Sequence, residues 1–552
     1  NATWLTMQSL PYLYDFQHTC NEQIFAKYFA DVLAIHVLEK NPTIKDLISE
    51  WKKNPKSKLE DNEELKELVL QETPWMKDLV SNEEKKAQLA SYFDIDRLKK
   101  EAHEIIKTLG ERQNASGGFG WFSGGSENDY ITQHILVTAA QLDKLGVSHF
   151  NENDVKNIVN KAHRFIDVKM QDQFKTSNKT FSNHSAINYA FVKSYYSKDF
   201  AIPTDVSKQL DQNFIDLKKN WVELSLENKA KLAIILNRKG DVTWAKQILN
   251  QLNESAVIDE TYGMYWKENS SKNYYYYNAA EVQSLIIEAF KEIDNNQLTL
   301  QKLNAWLLSQ KLNKDWGTTK ATTSAIYALL LSNSTELATS DKAIVSIGNQ
   351  TIKNNETAEN QNDDLLGYQT CQWKADEITN DFGKISIKNK SEKPVFGGIY
   401  WQYFEDFNAV KDATNGILKI ARTFYIENSD KKLQEISNET ELKLGQKVII
   451  RLEISAEKDM EFIHIKDMRA ATFEPVDVLS GYKYENNLRY YQSTRDAATN
   501  FFIDYLSKGS YVIDYEVRLN NEGSFTSGIS TIQSMYAPEH TGHTASKTIK
   551  VQ

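Results

Sequence analysis

The hydrophobic pattern of this chain changes its period near residue 335, and that change constrains the fold more than any other feature. Before it, apolar residues recur at helical spacing, as in 282–290 (Val282, Leu285, Ile286, Ala289 and Phe290). After it, apolar and polar residues alternate, as half-buried strands require. The sequence therefore predicts a multidomain α + β protein in which the helices come first.

A turn that contains glycine and aromatic residues precedes several of the predicted helices. It occurs at 117–122 before a helix from about Tyr130, at 262–266 before a helix from about Asn278, and at 315–317 before Ala321. Spacings of roughly 50 residues or multiples of it are typical of a helical-hairpin repeat. Closed on itself over this length, such a repeat gives about six hairpins. We therefore predict an α/α toroid over residues 1–335.

The second half of the chain has the pattern of antiparallel sheets. Residues 348–364 are almost wholly polar and predict a loop or linker. Alternating segments follow at 385–387, 448–454 and 511–519. Short strands separated by turns are typical of antiparallel β-sandwiches. We predict one small β domain over 336–415 and a second β-sandwich domain over 416–552.

Residues 20–23 read Cys-Asn-Glu-Gln at the start of a predicted helix. The Cys20 thiol and the Gln23 side-chain carbonyl are within reach of each other around one helical turn. Loss of ammonia would join them in a thioester, and its thiolate is a good leaving group when an amine or hydroxyl attacks. The alternative is a buried structural cysteine, which is the usual fate of a free cysteine. The tetrad by itself leaves both interpretations open.

Composition and motifs argue against several classes of function. The formal net charge is −10 without a concentrated basic patch, which argues against a nucleic-acid partner. Mean hydropathy is −0.55 and no apolar run approaches the ~18 residues of a membrane span. The two cysteines, Cys20 and Cys371, are too far apart in the sequence to indicate a disulfide framework. Zinc-binding, phosphate-loop and serine-hydrolase motifs are absent from the sequence, which predicts neither a metal site nor a bound cofactor. The chain begins at Asn1 without an initiator methionine, so we expect a fragment of a longer protein.

The surroundings of the tetrad resemble the thioester segment of the alpha-2-macroglobulin and complement thioester proteins. Residues 10–19 form an aromatic, proline-containing approach, and apolar residues follow the tetrad at helical spacing. The family usually has glycine directly before the cysteine, where this chain has Thr19. Segments further along are similar to bacterial members of the family, at 117–142, 465–470, 501–509 and 534–538.

This resemblance implies a role for each of the three predicted domains. Residues 1–335 would be the thioester-containing α/α toroid, and 336–415 would be the second half of a CUB-like domain into which the toroid is inserted. Residues 416–552 would be the C-terminal macroglobulin-like β-sandwich.

The resemblance also implies roles for individual residues. Cys20 and Gln23 would be the acyl pair, with Glu22 as a spectator or as a charge at the helix N-terminus. Some members use a histidine to accept the acyl group, and the candidate here is His184, with a surface or capping histidine as the alternative. His18 is expected to shape the pocket, and His134 to be packed. Candidate aromatic walls that keep water from the bond are Tyr12, Tyr14, Phe16, Trp121, Phe122 and Tyr130, for each of which ordinary core packing is the alternative.

As a function, the resemblance implies a covalent trap and inhibitor of attacking proteases. Cleavage of an upstream segment would expose the thioester, and a protease lysine would attack the Gln23 acyl carbon once, without turnover, so we predict no enzyme. The implied partners are attacking proteases and upstream macroglobulin domains of the same protein. The implied location is secreted, periplasmic or anchored to the cell envelope, and the self-made thioester replaces any cofactor.

Two other classes of function remain open. One is an α/α-toroid enzyme, terpenoid-cyclase-like or carbohydrate-active, because residues 113–121 resemble the glutamine and tryptophan repeats of the cyclases. The other is an adhesion module that uses the same Cys20 bond to attach to a host surface. Without upstream domains to shelter it, we expect much of the thioester in the isolated chain to be hydrolysed or never formed.

Overall fold

A computed structural model describes most of the helical half of the chain and nearly all of its C-terminal part. The described residues are 6–16, 20–41, 45, 48–49, 90–148, 152–176, 183–259, 262–270, 278–312, 315–332, 344–348, 350–351, 373, 375–389, 405–407, 409–413, 416–428, 430–437, 440–535 and 540–552. His18 and Cys371 lie outside them. The chain divides into two compact units, Asn1–Val395 and Phe396–Gln552, and each is described by itself.

The N-terminal unit is built from helices. They are α1 (Leu10–Asp15), α2 (Asn21–Lys40), α3 (Ile95–Arg112), α4 (Asp129–Lys144), α5 (Glu152–Thr176), α6 (Asn183–Tyr195), α7 (Thr204–Asn220), α8 (Leu226–Arg238), α9 (Val242–Ser255), α10 (Lys267–Ser270), α11 (Ala279–Ile293), α12 (Gln297–Ser309) and α13 (Thr319–Ser332). Several start where a polar side chain accepts a bond from the first turn, as Asn128 does from Ile131 N–H. The helices predicted from about Tyr130, Asn278 and Ala321 are confirmed as α4, α11 and α13.

Six of these helices pack against one another in a closed cycle. Along the chain, α2 packs on α4, α4 on α6, α6 on α8, α8 on α11, and α11 on α13, and α13 returns to pack on α2. These six helices are called the inner helices below. Most also pack against a helix adjacent to them in sequence, such as α3, α5, α7, α9 or α12. One continuous core results, with Tyr28, Tyr189 and Tyr327 almost fully buried.

In two of the turns that contain glycine and aromatic residues, the glycine packs closely against the backbone of a neighbouring helix. Gly117 has φ +94°, and a Cβ there would lie 2.2 Å from the Lys161 carbonyl oxygen on α5. Gly263 has φ +86°, and a Cβ there would lie 2.2 Å from the Lys302 carbonyl oxygen on α12. Only glycine allows that conformation and that approach together. In these two copies the recurrence therefore reflects a repeated contact between a turn and a neighbouring helix, whereas a Cβ at Gly317 would come no nearer than 4.0 Å to Asn278 Nδ2.

Two of these turns are also fixed to the next inner helix in the same way. The N–H of Phe119 donates to Thr132 Oγ1 in α4 at 2.9 Å, and the N–H of Trp316 donates to Thr322 Oγ1 in α13 at 3.1 Å. Both threonines are the fourth residue of their helix. Both aromatic side chains are buried. The turn thus sets where α4 and α13 begin.

Short strands complete the N-terminal unit. A hairpin, β1 (Val257–Asp259) and β2 (Gly263–Tyr265), precedes α10, and three strands form a small antiparallel sheet in the order β4-β3-β5. These are β3 (Ile344–Ile347), β4 (Gln350–Thr351) and β5 (Ile385–Lys388). The strand predicted at 385–387 is confirmed. The loop predicted over 348–364 is wrong at β4, because polar side chains do not prevent Gln350 and Thr351 from pairing through their backbone.

The C-terminal unit is a β-sandwich with antiparallel sheets. One sheet has the order β10-β14-β8-β6-β7 and a second has the order β11-β12-β13-β9-β16-β17, with β15 and β18 paired separately. The strands are β6 (Leu418–Glu427), β7 (Leu433–Glu435), β8 (Lys447–Ala456), β9 (Met460–Met468), β10 (Phe473–Pro475), β11 (Gly481–Glu485), β12 (Leu488–Thr494), β13 (Ala498–Leu506), β14 (Gly509–Leu519), β15 (Gly523–Thr526), β16 (Ser530–Ser534), β17 (Thr541–His543) and β18 (Thr548–Val551). The alternation predicted at 448–454 and 511–519 is confirmed in β8 and β14. The predicted boundaries at 335 and 415 stay predictions.

Among the residues that the structure describes, none of the helices combines the length and the apolar character that crossing a bilayer requires.

A buried ion pair connects the two larger sheets of the C-terminal unit. Arg422 on β6 donates to Asp467 on β9 at 2.7 Å, and the exposed fractions of the two side chains are 1% and 0%. Tyr515 on β14 donates to the other carboxylate oxygen at 2.6 Å. Arg422 also donates to the Gly528 carbonyl at 2.6 Å. Because each partner is satisfied, the charges are tolerated in the core, but removal of one leaves the other uncompensated.

We expect Arg422→Leu to destabilise the C-terminal unit by about 3–5 kcal/mol, since Asp467 would stay buried without its cation. The matched control is Arg451→Leu, which removes a partly exposed pair with Asp514 at 2.7 Å and should cost about 1 kcal/mol or less. Urea unfolding followed by circular dichroism of the sheets measures both. Equal shifts of the two midpoints would contradict the prediction.

Candidate functional site

Cys20 and Gln23 share the N-terminal cap of α2. Cys20 is the capping residue in extended conformation, with φ −71° and ψ 159°. Its backbone N–H donates to Gln23 Oε1 at 3.3 Å, and its sulfur accepts from the backbone N–H of Gln23. This reciprocal arrangement is the capping box of a helix start, with a thiol in the place of the usual hydroxyl. The two side chains predicted to react are therefore held on the same turn.

The Cys20 thiol lies in a buried environment. The residue is 5% exposed, and Sγ lies 3.9 Å from Glu22 Oε2. Burial raises the pKa of the thiol above its ordinary value, and the Glu22 carboxylate adds to that direction. At neutral pH the free thiol is therefore protonated and a poor nucleophile towards external reagents.

Asn21, the variable position of the tetrad, fastens a loop to the start of α2. Its side-chain amide donates to the Gly120 carbonyl at 2.9 Å, and its backbone N–H donates to the Trp121 carbonyl at 2.9 Å. Asn21 is fully buried. Residues 117–128, here called the aromatic loop, are thus bonded directly beside Cys20. This role of Asn21 was not predicted, since its position inside the tetrad is the only local signal for it.

The predicted aromatic residues take different positions. Trp121 and Tyr130 stack with ring centroids 6.0 Å apart and are 44% and 49% exposed, and Phe122 is more exposed still. Tyr12 and Phe16 meet edge to face at 5.6 Å near the end of α1. Tyr14 instead donates to Glu101 on α3 at 3.0 Å. The bond from the Asn21 N–H to the Trp121 carbonyl places Trp121 close to the start of α2. Tyr130 lies there as well, because its ring stacks on that of Trp121.

Glu22 links the first inner helix to the last. Both of its carboxylate oxygens lie 2.9 Å from Thr319 Oγ1, the hydroxyl at the first position of α13. Glu22 is 7% exposed, and burial raises the pKa of its carboxyl. His134 Nε2 on α4 lies 3.9 Å from Glu22 Oε1. Three inner helices thus converge on the residue between the two predicted acyl partners.

His184, the candidate for acyl transfer, and His134, which was expected to be packed, differ in their surroundings. Burial lowers the pKa of His134 to about 3, so its imidazole is neutral at physiological pH. His184 lies at the start of α6, where its Nε2 is 2.9 Å from Asn188 Nδ2. Within the described contacts, none connects His184 with Cys20, Glu22 or Gln23. Its predicted role in acyl transfer stays a prediction.

In the part of the chain that the structure describes, there is no group of three or more histidine, cysteine, aspartate or glutamate side chains that could hold a metal ion. The site is instead composed of a thiol, an amide, a buried carboxyl and a neutral imidazole. Such groups can form and protect an acyl bond between the first two.

Comparison with known proteins gives several similarities. Circularly permutated Ras protein 2 of Dictyostelium discoideum is 26% identical over 125 residues, which are 22% of this chain and 3% of that protein. The crystal structure of native alpha-2-macroglobulin from Escherichia coli, from domain MG7 to the C-terminus, is 14% identical with a TM-score of 0.36, over 99% of this chain and 75% of that chain. Trypsin-activated alpha-2-macroglobulin from Escherichia coli is 15% identical with a TM-score of 0.42, over 83% of this chain and 30% of that chain. The chain thus spans a small part of the first of these proteins and under a third of the last.

A family match covers the C-terminal unit. Residues 418–539 match the family described as the bacterial alpha-2-macroglobulin MG10 domain. This range runs from β6 through β16 and contains the Arg422–Asp467 pair. The family predicted from the tail segments at 465–470, 501–509 and 534–538 is confirmed there. This match, which covers 122 of the 552 residues, is to one domain of the bacterial alpha-2-macroglobulins.

Proposed function

We propose that Cys20 and Gln23 form an internal thioester that captures an attacking protease covalently. The observation that carries this proposal is the shared cap of α2, in which the thiol and the side-chain amide lie on one turn. To form the bond, the sulfur attacks Gln23 Cδ and ammonia leaves. In the capture step a lysine amine of the protease attacks Gln23 Cδ, the Cδ–Sγ bond breaks, and the proton lost by the amine protonates the Cys20 thiolate.

The hydrogen bond from the Cys20 backbone supports both steps. Its N–H points to Gln23 Oε1 at 3.3 Å. Negative charge develops on this oxygen when a nucleophile adds to Cδ, and a fixed N–H donor stabilises such charge. Burial of Cys20 limits the access of water, which would otherwise hydrolyse the bond.

The surrounding fold supports the proposal as well. We infer that the closed cycle of inner helices is the α/α toroid predicted for the thioester domain, and that residues 336–415 are the returning half of a CUB-like domain. The whole protein would then be a secreted, periplasmic or envelope-anchored inhibitor. Its upstream macroglobulin domains would shelter the bond until a protease cleaves an upstream segment. One capture event consumes the bond, so no turnover is expected.

Intact mass spectrometry with and without methylamine tests the proposal on the whole protein. We expect a mass one ammonia below the encoded value and a blocked thiol. Methylamine should then add at Gln23 and release the Cys20 thiol, because it attacks as a lysine amine would. Cys20→Ala should show neither the ammonia loss nor methylamine uptake. An unmodified Gln23 amide beside a titratable thiol in gently prepared protein would refute the proposal. Turnover of a small substrate that survives Cys20→Ala would favour a toroid enzyme instead.

We expect Asn21→Ala to make the thioester hydrolyse roughly tenfold faster, because loss of a buried hydrogen bond costs on the order of 1–3 kcal/mol and the aromatic loop would detach more often. The measurement is the rate of thiol release in buffer without amine. The matched control is Asn41→Ala at the other end of α2, whose amide donates to the Val37 carbonyl at 2.8 Å. Equal rates in the two variants would show that the loop does not protect the bond.

A further inference from the structure

Lys320 places an amine close to the proposed thioester. It is the second residue of α13 and directly follows Thr319, whose hydroxyl bonds to Glu22 at 2.9 Å. Its Nζ lies 2.7 Å from Glu281 Oε2 on α11 and 4.8 Å from the centre of the Tyr130 ring on α4. The charge of Lys320 acts on Glu22 and on His134. Lys320 is therefore next in sequence to the residue that bonds to Glu22, which lies between the two acyl partners.

This position creates a chemical conflict. A lysine amine is the nucleophile that the thioester would capture from a protease, and a tethered amine reacts at a far higher effective concentration than an external one. Only the neutral amine has the lone pair that attack requires, whereas the ammonium form does not react. The chain must therefore keep this lysine charged, or the bond would be consumed from within.

The contacts of Lys320 keep it charged. Its side chain is 29% exposed and that of Glu281 is 21% exposed, so the pair is partly shielded from water. Burial, the largest single effect, lowers the pKa of Lys320, but the Glu281 carboxylate and Tyr130 together outweigh it and raise the pKa above its ordinary value. Two further carboxyls feel the charge of Lys320 and are bonded elsewhere, Glu22 to Thr319 and Glu227 on α8 to Lys231. Among the described contacts, Glu281 is thus the carboxylate that pairs directly with the Lys320 ammonium.

We propose that Glu281 is a positioning residue that protects the thioester from self-capture by holding Lys320 as an ammonium ion against Tyr130. This inference rests on the proposed thioester between Cys20 and Gln23. Without Glu281, the neutral Nζ attacks Gln23 Cδ, the Cδ–Sγ bond breaks, and an isopeptide bond joins Gln23 to Lys320. The proton released by the amine passes to the Cys20 thiolate, so no other reactant is needed.

The test is Glu281→Gln in the whole protein, measured by three readouts. A thioester and the isopeptide have the same mass, one ammonia below the encoded value, but they differ in reactivity. We expect Glu281→Gln to keep that mass, to show a titratable Cys20 thiol, and to lose methylamine uptake by about tenfold or more, since the tethered amine outcompetes the added one. Proteolysis should then yield a linked pair of peptides that contain Gln23 and Lys320.

Two further variants separate this effect from a general disturbance of the fold. Glu281→Gln combined with Lys320→Arg should recover methylamine uptake, because a guanidinium keeps its proton and does not attack. Glu516→Gln removes a lysine–glutamate pair of 2.9 Å in the C-terminal unit and should behave as wild type.

The possible results test the thioester and its protection by Glu281 separately. If wild type reacts with methylamine and Glu281→Gln reacts equally, or loses the bond without the linked peptides, the protection by Glu281 is refuted and the thioester stands. If the double variant stays unreactive, the effect of Glu281 is structural and the inference also fails. If wild type keeps an intact Gln23 amide, both proposals fail together.

Discussion

The bond between Glu22 and Thr319 is the contact on which the candidate site depends. The two residues are 297 positions apart and lie on the first and last inner helices. They meet only because α13 returns to pack against α2 and closes the cycle. The same closure brings Lys320 and, from α4, His134 close to the cap of Cys20. The site is therefore a consequence of ring closure and not a property of the local tetrad alone.

A second polar cluster connects the inner helices away from the cap. Glu288 on α11 accepts bonds from Tyr195 at 2.6 Å, from Arg238 at 2.8 Å, from Tyr327 at 2.8 Å and from Lys144 at 3.1 Å. These partners lie on α6, α8, α13 and α4, and the Glu288 side chain is 1% exposed. A buried carboxylate needs such pairing, since an unpaired charge in the core would be strongly destabilising. This cluster joins five of the inner helices through one residue, whereas the cap cluster joins α2 to α13.

Local features of this chain could be predicted from its sequence, and long-range ones could not. The helical and alternating hydrophobic periods predicted α4, α11, β8 and β14, because each of these periods depends on residues within one element. Cys20 and Gln23 could be predicted as a pair for the same reason, since they lie three positions apart. Asn21, Thr319 and Lys320 were missed because their partners are about 40 to 300 residues away, and no local pattern encodes such pairs. Resemblance pointed to His184, while the packing of α4 places His134 beside Glu22.

The distance in sequence between the cap and the groups around it determines the order in which the parts of the site form. The cap that joins Cys20 to Gln23 needs only the first turn of α2, and local helical contacts form quickly. The groups around it arrive later, since the aromatic loop is about 100 residues away and Thr319 nearly 300, and closing such distances costs chain entropy before any contact stabilises them. A thioester that formed with the cap alone would be exposed to water and to lysines of the unfolded chain. The proposed bond would therefore best be made after ring closure, when the buried carboxyl of Glu22 and the charged pair of Lys320 and Glu281 are already in place.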